Sequence, residues 1–236
     1  MSIQVKAVGI NLPDGFPQRA YDAVHAKVHS GSRREEQVFH YGGAWNGIAY
    51  RFMSCADADD QFTKLIAEPQ SHLNRFHQDE ALVKFFVSGL SVIETFFYGL
   101  YWIGSMAEPG RFPIVTGNHL RGIEAGKTMD RFRAGPHMAL FTRSFAALQT
   151  QDRATGKWEN TAPYAELKEV RNILAHRASY GRVVNMAAGG GVQLDDIWRV
   201  RDIPLNDQLT RSRRAWLVAT LNGLLDGAEA YVTAAL

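Results

Sequence analysis

The sequence predicts an all-α protein, a helical bundle with one small β-hairpin inserted before its last helix. Apolar residues recur at three- and four-residue steps along most of the chain, the period of a helix with one buried side. No alternation of strands and helices is present to build a parallel sheet. Only Arg182–Val200 changes character: Val183-Val184, the glycine run Gly189–Gly191 and Val192–Val200 read as two short strands around a turn.

The elements follow in order. Pro17 opens a first helix, with Tyr21, Val24 and Val28 at helical spacing. Gly42-Gly43 opens a second, with Trp45, Ile48, Ala49 and Phe52 on one side; it is expected to break at Cys55–Asp60, resume to Ile66 and end at Pro69. A long third helix spans Asn74 to Ser105, apolar nearly all round and so buried on most sides. Pro109, Gly110 and Pro113 turn the chain, and two medium helices follow, Gly117–Phe132 and Pro136–Thr150. Another helix starts at Thr161-Ala162-Pro163, a capping hydroxyl followed by a proline suited to a first turn, and ends before Gly181. The last helix covers Leu205–Ala235, with Leu209, Trp216, Leu217, Leu221, Leu224 and Leu225 as its core face.

At 236 residues the chain suits one domain, with residues 1–70 as a helical N-terminal extension and 74–236 as the core. A formal net charge of +2 demands no polyelectrolyte partner. The charge is uneven, however. Arg121–Arg153 and Arg199–Arg214 each carry a surplus of basic residues, either as solvated faces or as a rim that collects an anionic substrate. Cys55 is the only cysteine, so neither an internal disulfide nor a thiolate metal cluster is expected. With no secretory signal visible at the N-terminus, a reducing, cytoplasmic setting fits. Phe85–Met106 is long enough to span a bilayer, but Glu94 sits near its middle, where a charge is costly in lipid. A buried central helix is the favoured reading, with no membrane partner.

Chemistry concentrates in Tyr164–Arg177. Arg171, Asn172, His176 and Arg177 lie within two turns of one helix. A histidine moves protons near neutral pH, and a guanidinium grips phosphate through a planar fork of donors. Asn172 and His176, four apart, share a helix face. Arg171 and His176, five apart, stand about 140° apart around the helix. One helix therefore makes an incomplete site, whereas two copies facing each other across a two-fold axis would bring both arginines and both histidines into one cleft. The bland alternative is that basic residues here simply satisfy the C-terminal carbonyls and the helix dipole.

Arg171-Asn172-Ile173-Leu174-Ala175-His176 resembles the signature of the HEPN superfamily: an arginine, a polar residue that is often asparagine, and a histidine a few residues on. The acid of the long apolar helix, Glu94 in Ser91-Val92-Ile93-Glu94, is similar to that family's pattern as well. The resemblance covers Phe85–Ser105 and Tyr164–Tyr180. It implies a homodimeric RNase that works without metal or other cofactor, leaving 2′,3′-cyclic phosphate and 5′-hydroxyl ends. It implies His176 as the acid or base, Arg171 as the scissile-phosphate contact, Asn172 orienting the histidine or donating to the phosphate, and Arg177 as an auxiliary phosphate contact. Many family members serve in defence or toxin–antitoxin systems, so an antitoxin or other partner protein is implied too; others are inactive binding modules. Glu94 either positions Arg171 or His176 or is a buried carboxylate paired with an arginine for structural reasons.

Other constellations are thinner. His25 and His29 are four apart, a spacing that suits a metal on one helix face, but no third ligand is evident and no metal is expected. His72 and His77 flank a helix start, and His40, His119 and His137 stand alone. Trp45, Tyr50 and Arg51 could stack bases, although at helical spacing such aromatics are more often core. The triple glycine lacks the Gly-Lys-Ser/Thr of a phosphate loop.

Overall fold

The computed structural model describes residues 12–31, 34–69, 71–114, 117–176, 184–186, 192–194 and 198–236. Among them are eight α-helices: α1 (Gln18–His29), α2 (Glu35–Ala67), α3 (His72–Ala107), α4 (Gly117–Arg121), α5 (Ala125–Arg133), α6 (Thr142–Ala146), α7 (Ala162–His176) and α8 (Asp207–Ala235). Six three-residue strands pair as antiparallel ladders: β1 (Gln149–Gln151) with β2 (Trp158–Asn160), β3 (Val184–Met186) with β4 (Val192–Leu194), and β5 (Trp198–Val200) with β6 (Ile203–Leu205). The all-α bundle with a small β insertion before its last helix is the architecture observed. The chain forms two compact units, the first from Met1–Met53, Ser91–Thr161 and Leu217–Leu236, the second from Ser54–Leu90 and Ala162–Trp216. Helices α2, α3 and α8 each contribute one stretch to each unit.

The first unit is organised by aromatic side chains. Tyr21 of α1 stacks on Trp45 of α2, the Tyr21 hydroxyl donates to the Trp45 carbonyl at 3.0 Å, and the Trp45 indole N–H donates to the Tyr21 carbonyl at 3.1 Å. The exchange satisfies two buried donors and locks α1 to α2. A second cluster centres on Phe132, whose ring meets Phe112, Phe141 and Tyr231 at centroid separations of 4.8–5.0 Å. The Tyr231 hydroxyl donates to Glu108 at 2.9 Å. Gly104 makes the cluster possible, because a Cβ there would lie 2.6 Å from the fully buried Phe112 ring. Gly104→Ala gains about 1 kcal/mol of helix propensity but overpacks by about 1–3 kcal/mol. A lower midpoint of chemical unfolding at unchanged slope is the expected result.

In the second unit the turn between α2 and α3 is tied by amides. Asn74 donates to the Leu65 and Pro69 carbonyls at 3.1 and 3.3 Å, and Gln78 donates to the Leu65 carbonyl at 3.1 Å. These absorb carbonyls that the end of α2 leaves without helical partners. Nearby, Arg214 of α8 reaches Asp59 at 3.3 Å and Asp60 at 2.6 Å on α2. Cys55, one turn before Asp59, is buried, and that burial pushes its thiol well above the ordinary range.

Several expected boundaries move. Helix α2 starts at Glu35 and runs unbroken through Gly42-Gly43 and through Cys55–Asp60. Tyr41, Ala44, Trp45, Cys55, Ala56 and Ala58 are all buried along it, and that packing outweighs the weak helix preference of the glycines. The expected Gly117–Phe132 helix divides into α4 and α5. Gly122 closes α4 with a 3.0 Å bond back to His119, and Glu124 takes an extended conformation before α5. The expected Pro136–Thr150 helix becomes a 3-10 turn (Met138–Leu140), the short α6 and strand β1. Leu148 is buried there and its carbonyl accepts the Thr161 N–H at 2.9 Å, which commits this backbone to a ladder. The single hairpin expected over Arg182–Val200 is two ladders, β3–β4 and β5–β6, although parts of that span lie outside the described residues.

Helix α3 is long and apolar enough to cross a bilayer, and 61% of its most apolar stretch is buried within the structure. That burial is the behaviour of a core helix.

Candidate functional site

Helix α7 buries Tyr164, Leu167, Val170 and Ile173, a stripe advancing by three residues. Tyr164 stacks with Trp216 of α8, and the Lys168 ammonium lies 5.1 Å from the Tyr164 ring centroid. Two arginines take the acidic side chains of α7. Arg213 donates its Nε to Glu166 at 3.1 Å and also bonds it through Nη2. Arg201 stands in ion-pair contact with Glu169 at 2.7 Å, off the line of a hydrogen bond. Arg201 sits in the tight turn between β5 and β6 with a left-handed backbone, φ 53°, uncommon for a residue with a side chain.

The stripe fixes where the candidate residues fall. Asn172 lies on the opposite side of α7 and is exposed. Arg171 lies at the margin of the stripe, is half-buried, and is already engaged by another group. His176 is the last residue of α7, one helical turn beyond Asn172. Arg177 falls outside the described residues. Glu166 and Glu169 are compensated by Arg213 and Arg201, and Arg171 lies in the C-terminal half of the helix. Cations near a helix C-terminus also match the sign of its dipole.

Glu94 belongs to the first unit and is exposed on α3, so the buried-carboxylate alternative does not describe it. Helix α3 buries Val92, Ile93, Thr95, Phe96 and Phe97 around this position and turns Glu94 outward.

The basic stretches resolve differently from one another. In Arg199–Arg214, four of the five arginines are spent in ion pairs: Arg201 with Glu169, Arg211 with Asp207, Arg213 with Glu166 and Arg214 with Asp59 and Asp60. That stretch braces the fold. In Arg121–Arg153, Arg121, Arg143 and Arg153 are exposed, and Arg131 and Arg133 are built into the surface around α5.

The histidines are mostly structural. His25 and His29 lie 4.3 Å apart ring to ring, beside Tyr41. His40, expected to stand alone, stacks on Trp102 at 4.5 Å and meets the Tyr98 hydroxyl at 3.1 Å. Among the described residues no group of three or more His, Cys, Asp or Glu side chains could hold a metal ion. Trp45 is core, whereas Tyr50 is exposed, so the two do not form a stacking pair.

Burial holds the His25 imidazole below its ordinary value, with the neighbouring His29 acting in the same direction and Asp22 opposing. Burial lowers His29 as well. Both are therefore favoured neutral in the fold, and the unfolded chain binds more protons below pH 6.5. The stability that these histidines contribute is fully present above that pH and is lost as pH falls through their folded values. Thermal unfolding at pH 5 should accordingly occur at a lower temperature than at pH 7, and His25→Gln/His29→Gln should shrink that difference.

No family model matches this chain, and no curated protein or solved structure matches it.

Proposed function

We propose that the chain is a metal-independent endoribonuclease of the HEPN type, acting in the cytoplasm as a homodimer. The observation that carries the reading is the register Arg171-Asn172…His176 on the last two turns of α7. In this reading the RNA 2′-oxygen attacks its own phosphorus. The O2′–P bond forms as the P–O5′ bond breaks, one group takes the 2′ proton, and another delivers a proton to O5′. His176 fills one of these roles, and its counterpart from a second copy fills the other. Arg171 and Arg177 hold the phosphate oxygens, where charge accumulates during the displacement. Asn172, exposed one turn from His176, orients the histidine or donates to the phosphate. A partner protein that masks this surface would act as the antitoxin.

The test is cleavage of a mixed RNA pool in EDTA, with His176→Ala beside the wild type. Cleavage that survives in the variant removes this mechanism.

One observation favours a second reading. Arg171 is half-buried and already engaged, as a structural arginine would be. In that reading the protein is an inactive HEPN-like module that binds a nucleotide, nucleic acid or protein. RNA binding without new ends, unchanged by His176→Ala, is its signature.

A further inference from the structure

The face of the first unit built by α5 and the β1–β2 hairpin is a second place where chemistry converges, and it does not depend on the reading of α7. Trp158 of β2 is 42% exposed. The Arg133 guanidinium lies 3.5 Å from its ring centroid, and the Arg133 side chain is only 11% exposed. The indole thus lies over a nearly buried cation while much of its own surface faces water. Arg133 is held from two further directions, by Asp130 at 2.7 Å and by the Gln149 side-chain amide oxygen Oε1 at 3.1 Å. Register in the ladder pairs Gln151 with Trp158 and Gln149 with Asn160, so three amide side chains share the side of the hairpin that carries Trp158. The ring is a flat, fixed surface bordered by donors and acceptors.

Asp130 also lines an open cleft of about 560 Å³, with Gly110, Arg111, Arg131 and Ala134. The two arginines are clamped to each other's backbone, Arg111 donating to the Arg131 carbonyl and Arg131 to the Arg111 carbonyl. Arg131 also lies over the Tyr101 ring. Arg111 pairs with Glu108, whereas among the described residues no carboxylate pairs with Arg131. Gly135 leaves the space that the Arg111 guanidinium fills, since a Cβ there would collide with it. The guanidiniums are fixed before any ligand arrives, so little side-chain entropy is lost on binding.

We propose that this face binds single-stranded nucleic acid, with a base stacked on Trp158 and a backbone phosphate in the Arg131–Arg111 cleft. An exposed aromatic surface next to a prepaid anion site is the combination that single strands use. A duplex keeps its bases stacked inside and cannot offer one to Trp158. An acidic peptide would use the cleft and leave the ring idle.

The test is fluorescence anisotropy of a labelled uridine-rich 12-mer RNA with the full-length protein. His176→Ala is the background throughout, so that the strand is not consumed. Trp158→Ala should weaken binding about 10-fold or more, and Trp158→Phe, which keeps a ring, should recover most of the loss. Arg131→Gln should lower the slope of log affinity against log salt by about one phosphate contact, and Arg131→Lys should restore it. Unchanged affinity in both Trp158→Ala and Arg131→Gln, with wild-type melting temperatures, would overturn the proposal. So would preferential binding of a duplex, or displacement of the RNA by polyglutamate or uridine monophosphate at strand-equivalent concentration.

Discussion

Arg214→Leu is expected to destabilise the protein by about 3–5 kcal/mol, the usual cost of leaving one member of a buried ion pair alone. The Asp59 side chain is 4% exposed, and Arg214 Nη1 is its hydrogen-bond donor at 3.3 Å. Its other oxygen, Oδ1, has no partner among the described residues. Asp60 shares the same guanidinium but is largely exposed, and its half of the interaction is worth little. The asymmetry gives a sharper check than the single variant. Asp59→Leu/Arg214→Leu removes both charges and should recover a large part of the loss, because two well-packed apolar side chains often match a buried pair. Chemical denaturation of the four proteins of this cycle measures it. Independent, additive losses would mean that Arg214 does not compensate Asp59.

Much of the fold was legible in the sequence because helical periodicity is a local signal. Tyr21, Val24 and Val28 on α1, and Leu217, Leu221, Leu224 and Leu225 on α8, occupy the buried positions that their spacing predicts. The failures share a cause, which is that tertiary packing decides where local preference is weak. Gly42-Gly43 reads as a helix start, yet the buried Tyr41, Ala44 and Trp45 carry α2 straight through it. Gln149-Thr150 reads as the end of a helix, yet its backbone pairs with Glu159-Asn160 across a short turn. A signal for that hairpin was present in Asp152–Gly156. Asp152 accepts the backbone N–H groups of Ala154 and Thr155, which holds its carboxyl below the ordinary range, and Gly156 takes φ +69° to close the turn.

The candidate site was legible only in part. Helix α7 and its buried stripe follow from Tyr164, Leu167, Val170 and Ile173, and the stripe in turn makes Asn172 face outward. The outward turn of Glu94 was not legible, since a single acid in a long apolar helix suits burial in a pair as well as exposure. Charge runs were the least informative feature. In sequence Arg201, Arg211, Arg213 and Arg214 suit either a solvated face or an anion-collecting rim, and in the structure they are ion-paired braces. Sequence spacing carries no record of which carboxylates from distant elements will meet them. The same blindness hid the Trp158–Arg133 contact, which joins residues 25 positions apart.

The largest effect that the proposed nuclease function leads one to expect is on RNA cleavage. Removing a positioned acid or base typically lowers a rate by about 10²–10⁴-fold, and removing a donor from a developing anionic charge costs about 10²–10³-fold. Arg171→Ala and His176→Ala should each fall in these ranges, and Arg171→Ala should also melt at a lower temperature, because its half-buried side chain is already engaged. Asn172→Ala, which alters an exposed side chain, should leave stability unchanged and reduce cleavage by less than either. The double variant Arg171→Ala/His176→Ala should lose little beyond the worse single variant, because residues acting in one step are not additive.

The most direct measurement is the chemistry of the ends produced when a mixed RNA pool is incubated in EDTA with the wild type, Arg171→Ala and His176→Ala. The proposed mechanism gives 2′,3′-cyclic phosphate and 5′-hydroxyl ends from the wild type and neither from the two variants. Cleavage that leaves 3′-hydroxyl and 5′-phosphate ends, or cyclic-phosphate ends that persist in folded His176→Ala, would contradict it.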